Sequence, residues 1–501
     1  MKAVTVAGCF MNRTILVTGS TGFLGKLMVE KILRVQPDVK RLYLLVRAAD
    51  DAGAEQRVLD EVVGKELFDV LREKHGDDFH SFIKEKICPI AGDIIHENLG
   101  LESNRIGRLF QETDIIINGA ATTNFYERYD VALASNTFGI AHVCHFARKC
   151  VKLKMLLHIS TAYVTGEQEG LLLEQPLQMG QTLKKDCYLD IEAELELANE
   201  VKRKLVTTAF SGTINNSKQL LEKKAMKELG FKRAKCFGWP NTYAFTKAMG
   251  EMLLGSLRGD VPVVIVRPSI ITSTFKDPFP GWIEGIRTID TVIAAYCEQN
   301  LSYFIGKGIL DTIPGDMVVN AAMVAMATHY GDAGTQVLYH VTSALQNPLS
   351  CHLLAESMYS YMLINPRVRD EGRAIQHKRL LLFSRYAYFY AYMILLYKIP
   401  LQMLYLLNIL LGGFLSEYHN KVKRSFNYWM LTARFYAPYA FFKGRFDDTN
   451  LRRLWRTMSA RHGDGYLFNF DPNCFSWRVY LFNTHIPAVL KISQKKKEGR
   501  A

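Results

Sequence analysis

The chain has 501 residues, of which 49% are hydrophobic, 11% aromatic and 22% charged. This composition lies in the range of globular proteins and excludes collagen-like, largely disordered and coiled-coil chains. Lys and Arg (62) exceed Asp and Glu (49), so the formal net charge of +13 favours an anionic partner without identifying it.

The nine cysteines are odd in number, scattered, and without any CxxC pair or metal-ligand spacing. This usage is typical of a reducing compartment and gives no reason to expect a metal site. The stretch before the first predicted strand, MKAVTVAGCFMNR, is short for an organellar transit peptide and lacks the long apolar core of a secretory signal. We therefore expect the main domain to face the cytosol.

The first half of the chain alternates between two patterns. From Thr14 to about Ser269, short aliphatic or β-branched runs are separated by segments of helical periodicity. This alternation predicts an α/β fold, in which a Rossmann-like, doubly wound parallel sheet is covered by helices on both faces. The predicted strands begin at Thr14, Arg41, Ile87, Thr113, Met155 and Val261.

Two regions depart from this alternation. About eighty residues follow Thr161 before the next expected helix, and their Glu, Lys and Leu spacing predicts two amphipathic helices from Asp186 to Leu229. After about Val341 the pattern becomes aromatic-rich and helical. We therefore expect a first domain over residues 12–340 with an insertion at 166–235, and a mainly helical second domain over 341–501 with a very apolar segment at 386–415.

The motif TGSTGFLG follows the first predicted strand and opens a helix. Gly19 would allow the tight turn, Gly22 the approach of a pyrophosphate to the helix N-terminus, and Gly25 close packing of helix on strand. The GxxGxxG spacing is typical of short-chain dehydrogenases, although a glycine-rich turn that binds nothing fits the same letters. The predicted cofactor contacts are Thr18, Gly19, Thr21, Gly22, Phe23, Leu24, Gly25, Arg47, Asp93, Tyr243, Lys247 and Pro268.

Arg47 ends the second strand, where an NAD enzyme would carry Asp or Glu for the ribose 2′-hydroxyl. An arginine there suits a 2′-phosphate, so we predict NADPH as the cofactor. An ordinary surface arginine is the alternative, because AADDAG after it contains no second basic residue. Asp93, at the end of the third strand, is placed to meet the adenine, but an Asp that caps a turn would look the same.

Tyr243 and Lys247 in GWPNTYAFTKAMGE are four residues apart on a predicted helix, so both project from one face. A phenol is a poor acid at neutral pH, but a lysine ammonium within about 4–6 Å would lower its pKa. Tyr243 would then give a proton to a carbonyl oxygen as hydride reaches its carbon. Lys247 would also hold the nicotinamide ribose.

Two hydroxyls end the fifth predicted strand, MLLHIST. We expect Thr161, with Ser160 second, to bind the carbonyl oxygen beside the tyrosine. Asn136, on the helix between the fourth and fifth strands, is a candidate for ordering a proton-relay water behind Lys247. An amide that packs the helix face fits Asn136 equally well.

Several strings carry a family resemblance: TGSTGFLG, LLHISTAYVTG, GWPNTYAFTKAMGE and VRPSIITSTFKDPFPGWIEG. They resemble the alcohol-forming fatty acyl-CoA reductases, most closely the male-sterility-type members of plants, from about Thr14 to Leu490. The resemblance implies an extended short-chain dehydrogenase fold, NADPH, and two hydride transfers that carry a long-chain acyl-CoA through an aldehyde to a primary alcohol, as in wax or cuticle lipid synthesis. One departure is Ala488 after FNTHIP, where the family usually has Gly.

The apolar segment 386–415 carries one charge, Lys398, followed by Pro400. The pieces on either side of the proline, of about twelve and sixteen residues, are shorter than the roughly twenty that span a bilayer, and predict a re-entrant or interfacial helical hairpin. We expect association with the cytosolic face of the endoplasmic reticulum membrane; a buried helical pair lining the acyl tunnel of a soluble cytoplasmic enzyme is the alternative. Basic residues at both ends fit two cytosolic ends: Lys378, Arg379, Arg385, Lys421, Lys423 and Arg424.

Two other classes of protein stay open from the residues alone. A nucleotide-sugar epimerase or dehydratase shares the glycine turn, the Thr/Tyr/Lys arrangement and the fold, but does not need the late apolar segment. A non-catalytic NADP-binding scaffold would require the loss of Tyr243 or Lys247, and both are present. A nucleic-acid partner is not expected because the basic residues are dispersed. The oligomeric state stays open.

Overall fold

The computed structural model describes residues 5–208, 215–299, 301, 303–367, 376–461 and 463–498. Its centre is a parallel sheet made of β1 (Thr14–Thr18), β2 (Arg41–Val46), β3 (Ile87–Ala91), β4 (Ile115–Asn118), β5 (Met155–Ile159), β6 (Val263–Pro268) and β7 (Gln336–Val341). The spatial order is β3-β2-β1-β4-β5-β6-β7, the doubly wound order that reverses beside β1. The predicted fold class is confirmed.

Six of these strands begin within two residues of the predicted positions. The seventh, β7, does not emerge from the sequence, because the single run QVLYHV stands at the end of the α/β pattern with no strand after it to complete an alternation. β7 pairs in parallel with β6, from Gln336 opposite Val263 to Val341 opposite Pro268.

The sheet is buried on both faces because every residue of β1, β4 and β6 is buried. One core lies between the sheet and helices Phe23–Val35 and Gly315–Thr328, and the other lies against Gly139–Lys149. The longer helices are Phe23–Val35, Asp51–Val58, Phe79–Lys86, Ser103–Glu112, Gly139–Lys149, Ile191–Thr208, Asn215–Phe237, Thr242–Leu257, Ile289–Cys297, Gly315–Thr328, Cys351–Ile364, Tyr386–Leu410, Ser416–Ala440, Thr449–Arg461 and Ile486–Glu498.

The predicted insertion contains helix Ile191–Thr208 and all but the last two residues of helix Asn215–Phe237. The division at 340/341 stays a prediction, because residues on both sides of it share cores and sheets. Strand Gly444–Phe446 pairs with Gly170–Leu172. Residues from the C-terminal third also join the core of the main sheet: Leu451, Leu454, Met458, Phe468 and Phe470.

The apolar segment differs from the sequence-based expectation. It does not break at Pro400: Tyr386–Leu410 is one continuous helix of 25 residues. A π turn at Ile394–Lys398 precedes the proline and loosens the helix where the proline ring would meet a carbonyl one turn earlier. The helical hairpin is instead formed by Tyr386–Leu410 and Ser416–Ala440, joined by a turn that contains Gly412 and Gly413 at positive φ. We call residues 386–440 the hairpin.

Candidate active site

A cavity lies at the carboxyl ends of β1, β4, β5 and β6, where doubly wound sheets bind ligands. It begins at the glycine turn and reaches helix Thr242–Leu257, which we call the catalytic helix. Ten of the predicted site residues line it: Thr18, Gly19, Gly22, Phe23, Leu24, Gly25, Ser160, Tyr243, Lys247 and Pro268.

The glycine turn forms a cradle that side chains would fill. Gly19 has a φ of +74°, and a Cβ there would lie 2.6 Å from the backbone nitrogen of Ala120. A Cβ on Gly25 would collide with the carbonyl oxygen of Gly19. The buried hydroxyl of Ser20 finds no hydrogen-bond partner among the described residues, and Gly22 caps the N-terminus of helix Phe23–Val35 at the cavity wall. These features fit the pyrophosphate of a nicotinamide dinucleotide.

Residues 275–287 pack beside this cradle and contribute Ile283, Glu284 and Arg287 to the cavity lining. Trp282 stacks on Phe23 with ring centroids 4.9 Å apart, and Glu284 accepts from Lys26 Nζ at 2.5 Å. Asp316 holds the start of the segment by accepting three backbone N–H groups at 2.8–2.9 Å. The segment 275–287 is therefore held beside the glycine turn by a ring stack, an ion pair and three backbone hydrogen bonds.

Tyr243 lies in the first turn of the catalytic helix, which Asn241 caps by accepting from the Ala244 N–H at 2.9 Å. Burial raises the pKa of Tyr243 to about 12, against the opposing effects of a hydrogen bond with Thr161 and the charge of Arg287. Thr161 thus stands beside the phenol as the sequence predicts.

The expected lowering of the Tyr243 pKa by Lys247 is wrong for this structure, in which burial prevails. Lys247 Nζ donates to the carbonyl oxygen of Ile159 at 2.7 Å and lies 3.4 Å from His158 Nε2. Burial also lowers the pKa of Lys247 to about 8, although Glu251 opposes it, so the ammonium is itself easily lost.

Ser160 and Asn136 are turned to other partners. Ser160 Oγ donates to Glu251, one turn beyond Lys247 on the catalytic helix. Asn136 is fully buried, accepts from the Thr122 N–H at 2.9 Å, and donates to Thr122 O at 3.0 Å and Thr246 Oγ1 at 3.1 Å. Its amide therefore ties the loop after β4 to the catalytic helix, which agrees with the packing alternative.

The remaining predicted residues lie away from the reacting end. Arg47 is exposed just beyond β2, and Thr21 is half-buried in the glycine turn. Asp93 Oδ1 accepts from the Ile95 N–H at 3.2 Å, as in the turn-capping alternative. The structure thus brings together the predicted residues around Tyr243 and the glycine turn. Arg47 and Asp93 lie instead just after the carboxyl ends of β2 and β3, on the side where the adenosine of a dinucleotide would extend.

Comparisons with known families and proteins decide the family. A family model described as "Male sterility protein" matches residues 17–322, and a second with the same description matches residues 396–495. "Probable fatty acyl-CoA reductase 4" of Arabidopsis thaliana is 47% identical over 490 residues, covering 97% of this chain and 98% of that protein. The "Alcohol-forming fatty acyl-CoA reductase" of Simmondsia chinensis is 43% identical, covering 96% and 97%. The chain belongs to the male-sterility family of fatty acyl-CoA reductases.

The resemblance and the enzyme class that the sequence predicts are thereby confirmed. Solved structures of low identity share the reductase fold: a reductase domain of a non-ribosomal peptide synthetase from Mycobacterium tuberculosis has 17% identity and a TM-score of 0.55, covering 99% of this chain and 96% of that one. The terminal R domain of the myxalamid pathway has 19% identity and a TM-score of 0.51, covering 89% and 85%. The relatives reported above are named fatty acyl-CoA reductases, which favours that class over the epimerase and scaffold alternatives.

Several cavity residues of this reductase do not emerge from spacing alone. Arg287 donates to Thr123 Oγ1 at 3.3 Å, and both line the cavity together with Thr272 and Asp290. The string VRPSIITSTFKDPFPGWIEG, which carries part of the family resemblance, contains Thr272 and ends just before Arg287. This string identifies the segment as part of the family pattern, but it does not indicate which side chains face the cavity.

An aromatic wall connects the reductase site to the hairpin. Phe125 stacks on Tyr439 with centroids 5.1 Å apart and lies 6.0 Å from the ring of Tyr243. Tyr439 belongs to the second hairpin helix, contacts Tyr163 at 4.6 Å, and its hydroxyl accepts from Asn241 Nδ2 at 2.7 Å. The C-terminal third of the reductase therefore forms part of the catalytic surroundings.

Proposed function

We propose that this reductase converts long-chain fatty acyl-CoA into the primary alcohol through an aldehyde, with NADPH as reductant, at a membrane surface. The observation that carries the proposal is the cavity that joins a glycine cradle to Tyr243 and Lys247 and lies beside an aromatic wall. The names of the relatives support a fatty acyl-CoA substrate and, through the Simmondsia protein, an alcohol product.

The protein's own contribution to the chemistry is proton delivery. When bound, the reduced nicotinamide supplies hydride to the acyl carbon. The Tyr243 hydroxyl, placed by Thr161, donates a proton to the oxygen on which negative charge develops. A pKa of about 12 keeps Tyr243 protonated at neutral pH, as reduction requires. Lys247, with a pKa of about 8, can supply the proton that Tyr243 has lost.

The first reduction needs no enzyme nucleophile. Hydride addition to a thioester gives a hemithioacetal, whose carbon–sulfur bond then breaks to release the thiol and leave the aldehyde. No cysteine lines the cavity in the described part of the chain, and burial raises the pKa values of Cys144 and Cys297 to about 12. The chain therefore offers no thiolate beside Tyr243 for an acyl-enzyme route.

NADPH is favoured over NADH by Arg47. It is an exposed guanidinium directly after β2, the strand next to β1, where the 2′ group of the adenosine ribose is recognised in this fold. A guanidinium pairs with a 2′-phosphate through charge-assisted hydrogen bonds. It makes no interaction of comparable strength with an uncharged 2′-hydroxyl.

The hairpin supports binding to a membrane. Within the described residues, Tyr386–Leu410 is the one helix long and apolar enough to cross a bilayer. Only 17% of its most apolar 18-residue stretch is buried. The tip is the most exposed apolar part: Leu410 is 82% exposed and Phe414 86%. This exposure favours contact with lipid over the lining of an internal tunnel.

The partner helix limits how deep the hairpin goes. Lys421, Lys423 and Arg424 lie on Ser416–Ala440, and Lys421 is five residues, or about 8 Å, from its start at the tip. Full insertion would carry these charges into hydrocarbon, whereas insertion of the tip alone leaves them at the anionic headgroups. We propose that the reductase binds the cytosolic face of the endoplasmic reticulum membrane through the tip of the hairpin and does not span the bilayer.

The activity is tested with purified full-length protein, NADPH and acyl-CoA thioesters of graded chain length, followed by lipid analysis. Fatty alcohol should form, and Tyr243→Phe should lose about 10²–10⁴-fold in turnover while still binding NADPH. Tyr126→Phe, which changes a tyrosine near helix Asn215–Phe237, is the matched control and should stay active. Near-wild-type turnover by Tyr243→Phe, or no reduction of any thioester, would refute the proposal.

Membrane binding is tested by fractionation and flotation with liposomes that contain anionic lipid. The wild type should sediment with membranes, resist salt and require detergent, and Leu410→Asp with Phe414→Asp should release a folded protein. Val151→Asp, which changes a side chain 70% exposed elsewhere, should leave binding intact. Deleting the tail from Lys495 onward should change membrane binding little, because Lys495 already pairs with Glu66 at 2.7 Å. The side chains of Lys496 and Lys497 lie outside the described residues. Wild-type protein found wholly in the supernatant would contradict the proposal.

A further inference from the structure

A line of buried side chains crosses the sheet beneath the catalytic helix. Ala120 N–H donates to Thr18 Oγ1 at 3.2 Å, and Thr18 donates its hydroxyl proton to Asn118 Oδ1 at 2.7 Å. Asn118 Nδ2 lies 3.2 Å from His158 Nδ1, and His158 Nε2 lies 3.4 Å from Lys247 Nζ. Side chains from β1, β4 and β5 thus lead from a backbone amide to the catalytic lysine.

The Thr18 hydroxyl fixes the direction of this line. Its oxygen accepts from the Ala120 N–H, and among the described residues its own proton has one acceptor, Asn118 Oδ1, so an amide turned the other way would leave that proton unpaired. The Asn118 amide nitrogen therefore faces His158 and donates to Nδ1. Because Nδ1 accepts, the single proton of a neutral imidazole must be on Nε2, the nitrogen that faces Lys247.

The imidazole is held neutral by its surroundings. His158 is 1% exposed, and burial together with the charges of Lys247 and Arg267 holds its pKa well below the ordinary range. A charged ammonium has no lone pair and cannot accept from the Nε2–H, whereas an uncharged amine can. The uncharged amine of Lys247 can therefore form a hydrogen bond with the His158 Nε2–H, and the ammonium cannot.

We propose that His158 is a positioning residue of the reductase, whose Nε2–H is aimed at Lys247 by the Thr18–Asn118 line and favours the uncharged amine. The inference rests on the proposed role of Lys247 in supplying protons. After Tyr243 protonates the substrate oxygen, the Lys247 ammonium loses a proton, the phenolate gains it, and the amine left behind accepts from His158. A proton from solvent restores the ammonium before the next turnover.

The other groups around Lys247 either oppose the preference of His158 for the uncharged amine or do not affect it. Glu251, one turn along the helix, favours the ammonium, but its carboxylate is shared with Arg267 at 2.5 Å and with Ser160. Tyr243, one turn earlier, is uncharged at neutral pH, and the Ile159 carbonyl accepts from Lys247 in either protonation state. The burial that lowers the pKa of Lys247 to about 8 acts in the same direction as His158.

The direct test is the tautomer of His158 in the full-length protein labelled with ¹⁵N-histidine, without substrate. Nitrogen shifts distinguish a protonated from an unprotonated ring nitrogen, and the His158 signals are assigned by their loss in His158→Gln. We expect a neutral ring with the proton on Nε2. A proton on Nδ1, or an imidazolium at neutral pH, would overturn the inference, whatever the activity of the enzyme.

The second test is the alkaline limb of the pH profile of kcat/KM, which reports groups of the free enzyme. His158→Leu should move that limb upward by at least about half a pH unit, because it removes the donor while keeping an apolar surrounding. His340→Leu is the matched control: His340 is equally buried, but its Nε2 faces Arg267 at 3.3 Å, so the limb should stay in place. An unmoved limb in folded His158→Leu would also overturn the inference. Should that variant fail to fold, the tautomer of the wild type decides.

Discussion

Replacing Glu251 with Leu tests the ion pair beneath the catalytic helix. Arg267 is 0% and Glu251 1% exposed, and the guanidinium donates to the carboxylate at 2.5, 3.0 and 3.1 Å. The variant leaves the Arg267 cation buried without its counter-charge, and removing one partner of such a pair costs about 3–5 kcal/mol. His340 Nε2, 3.3 Å from Arg267, can still accept, so we expect the lower end of that range.

The double variant Glu251→Leu with Arg267→Met removes both charges. Because an apolar pair of similar volume avoids the desolvation of two ions, its unfolding free energy should lie much closer to the wild type than that of the single variant. Chemical denaturation in detergent, followed by circular dichroism, measures the wild type, the two single variants Glu251→Leu and Arg267→Met, and the double variant. Glu169→Leu is the control: it breaks the exposed pair with Lys443, whose side chains are 68% and 69% exposed, and should cost at most about 1 kcal/mol.

Two results would refute this reasoning. One is a Glu251→Leu variant that loses no more stability than Glu169→Leu, which would mean that water reaches the buried pair. The other is a double variant that loses as much as the sum of its single substitutions, which would mean that the two side chains are not coupled.

Three further outcomes are expected. Lys247→Ala should reduce turnover and weaken cofactor binding together, measured by steady-state kinetics and by fluorescence titration with NADPH; unchanged affinity would exclude contact with the ribose. Arg47→Ala should raise the KM for NADPH and leave use of NADH nearly unchanged, because only NADPH has a 2′-phosphate; equal effects would mean that Arg47 is misplaced. Burial raises the pKa of Glu174 to about 7, so the folded protein binds this proton more tightly than the unfolded chain, and its contribution to stability is present below about pH 4.5 and lost as the pH rises through about 7. Thermal melts over this range should show a larger loss of stability with rising pH in the wild type than in Glu174→Gln, because buried Asp311, whose pKa burial raises to about 6, titrates in both proteins.

Local patterns allowed most of the fold to be predicted. The strands of the sheet are buried on both faces, so they appear in the sequence as short apolar runs, and the glycine turn must follow β1 directly because the helix starts there. Tyr243 and Lys247 are found in the same way, since four residues place two side chains on one face of a helix. These features depend only on neighbours along the chain.

What the sequence did not predict depends on contacts between distant segments. His158 lies within a strand and would pass for a core residue, yet its ring meets Asn118 from β4 and Lys247 from the catalytic helix. The spacing of Tyr243 and Lys247 predicts a lowered pKa for the phenol, but the competing Ile159 carbonyl and the depth of burial depend on tertiary structure. Pro400 predicts the end of a helix, whereas the π turn before it accommodates the proline ring within one helix.

The second hairpin helix connects the proposed membrane contact with the chemistry. Ser416–Ala440 has 25 residues and spans about 35 Å from its start at the tip to Tyr439 at the aromatic wall. Asn241 joins this helix to the catalytic helix, because its Oδ1 caps the Ala244 N–H while its Nδ2 donates to the Tyr439 hydroxyl. A displacement of the hairpin along its axis would therefore strain the cap one residue before the helix that carries Tyr243. It follows that the C-terminal third forms a wall of the active site, and that the length of one helix separates the tip proposed to bind lipid from the ring of Tyr439 beside that site.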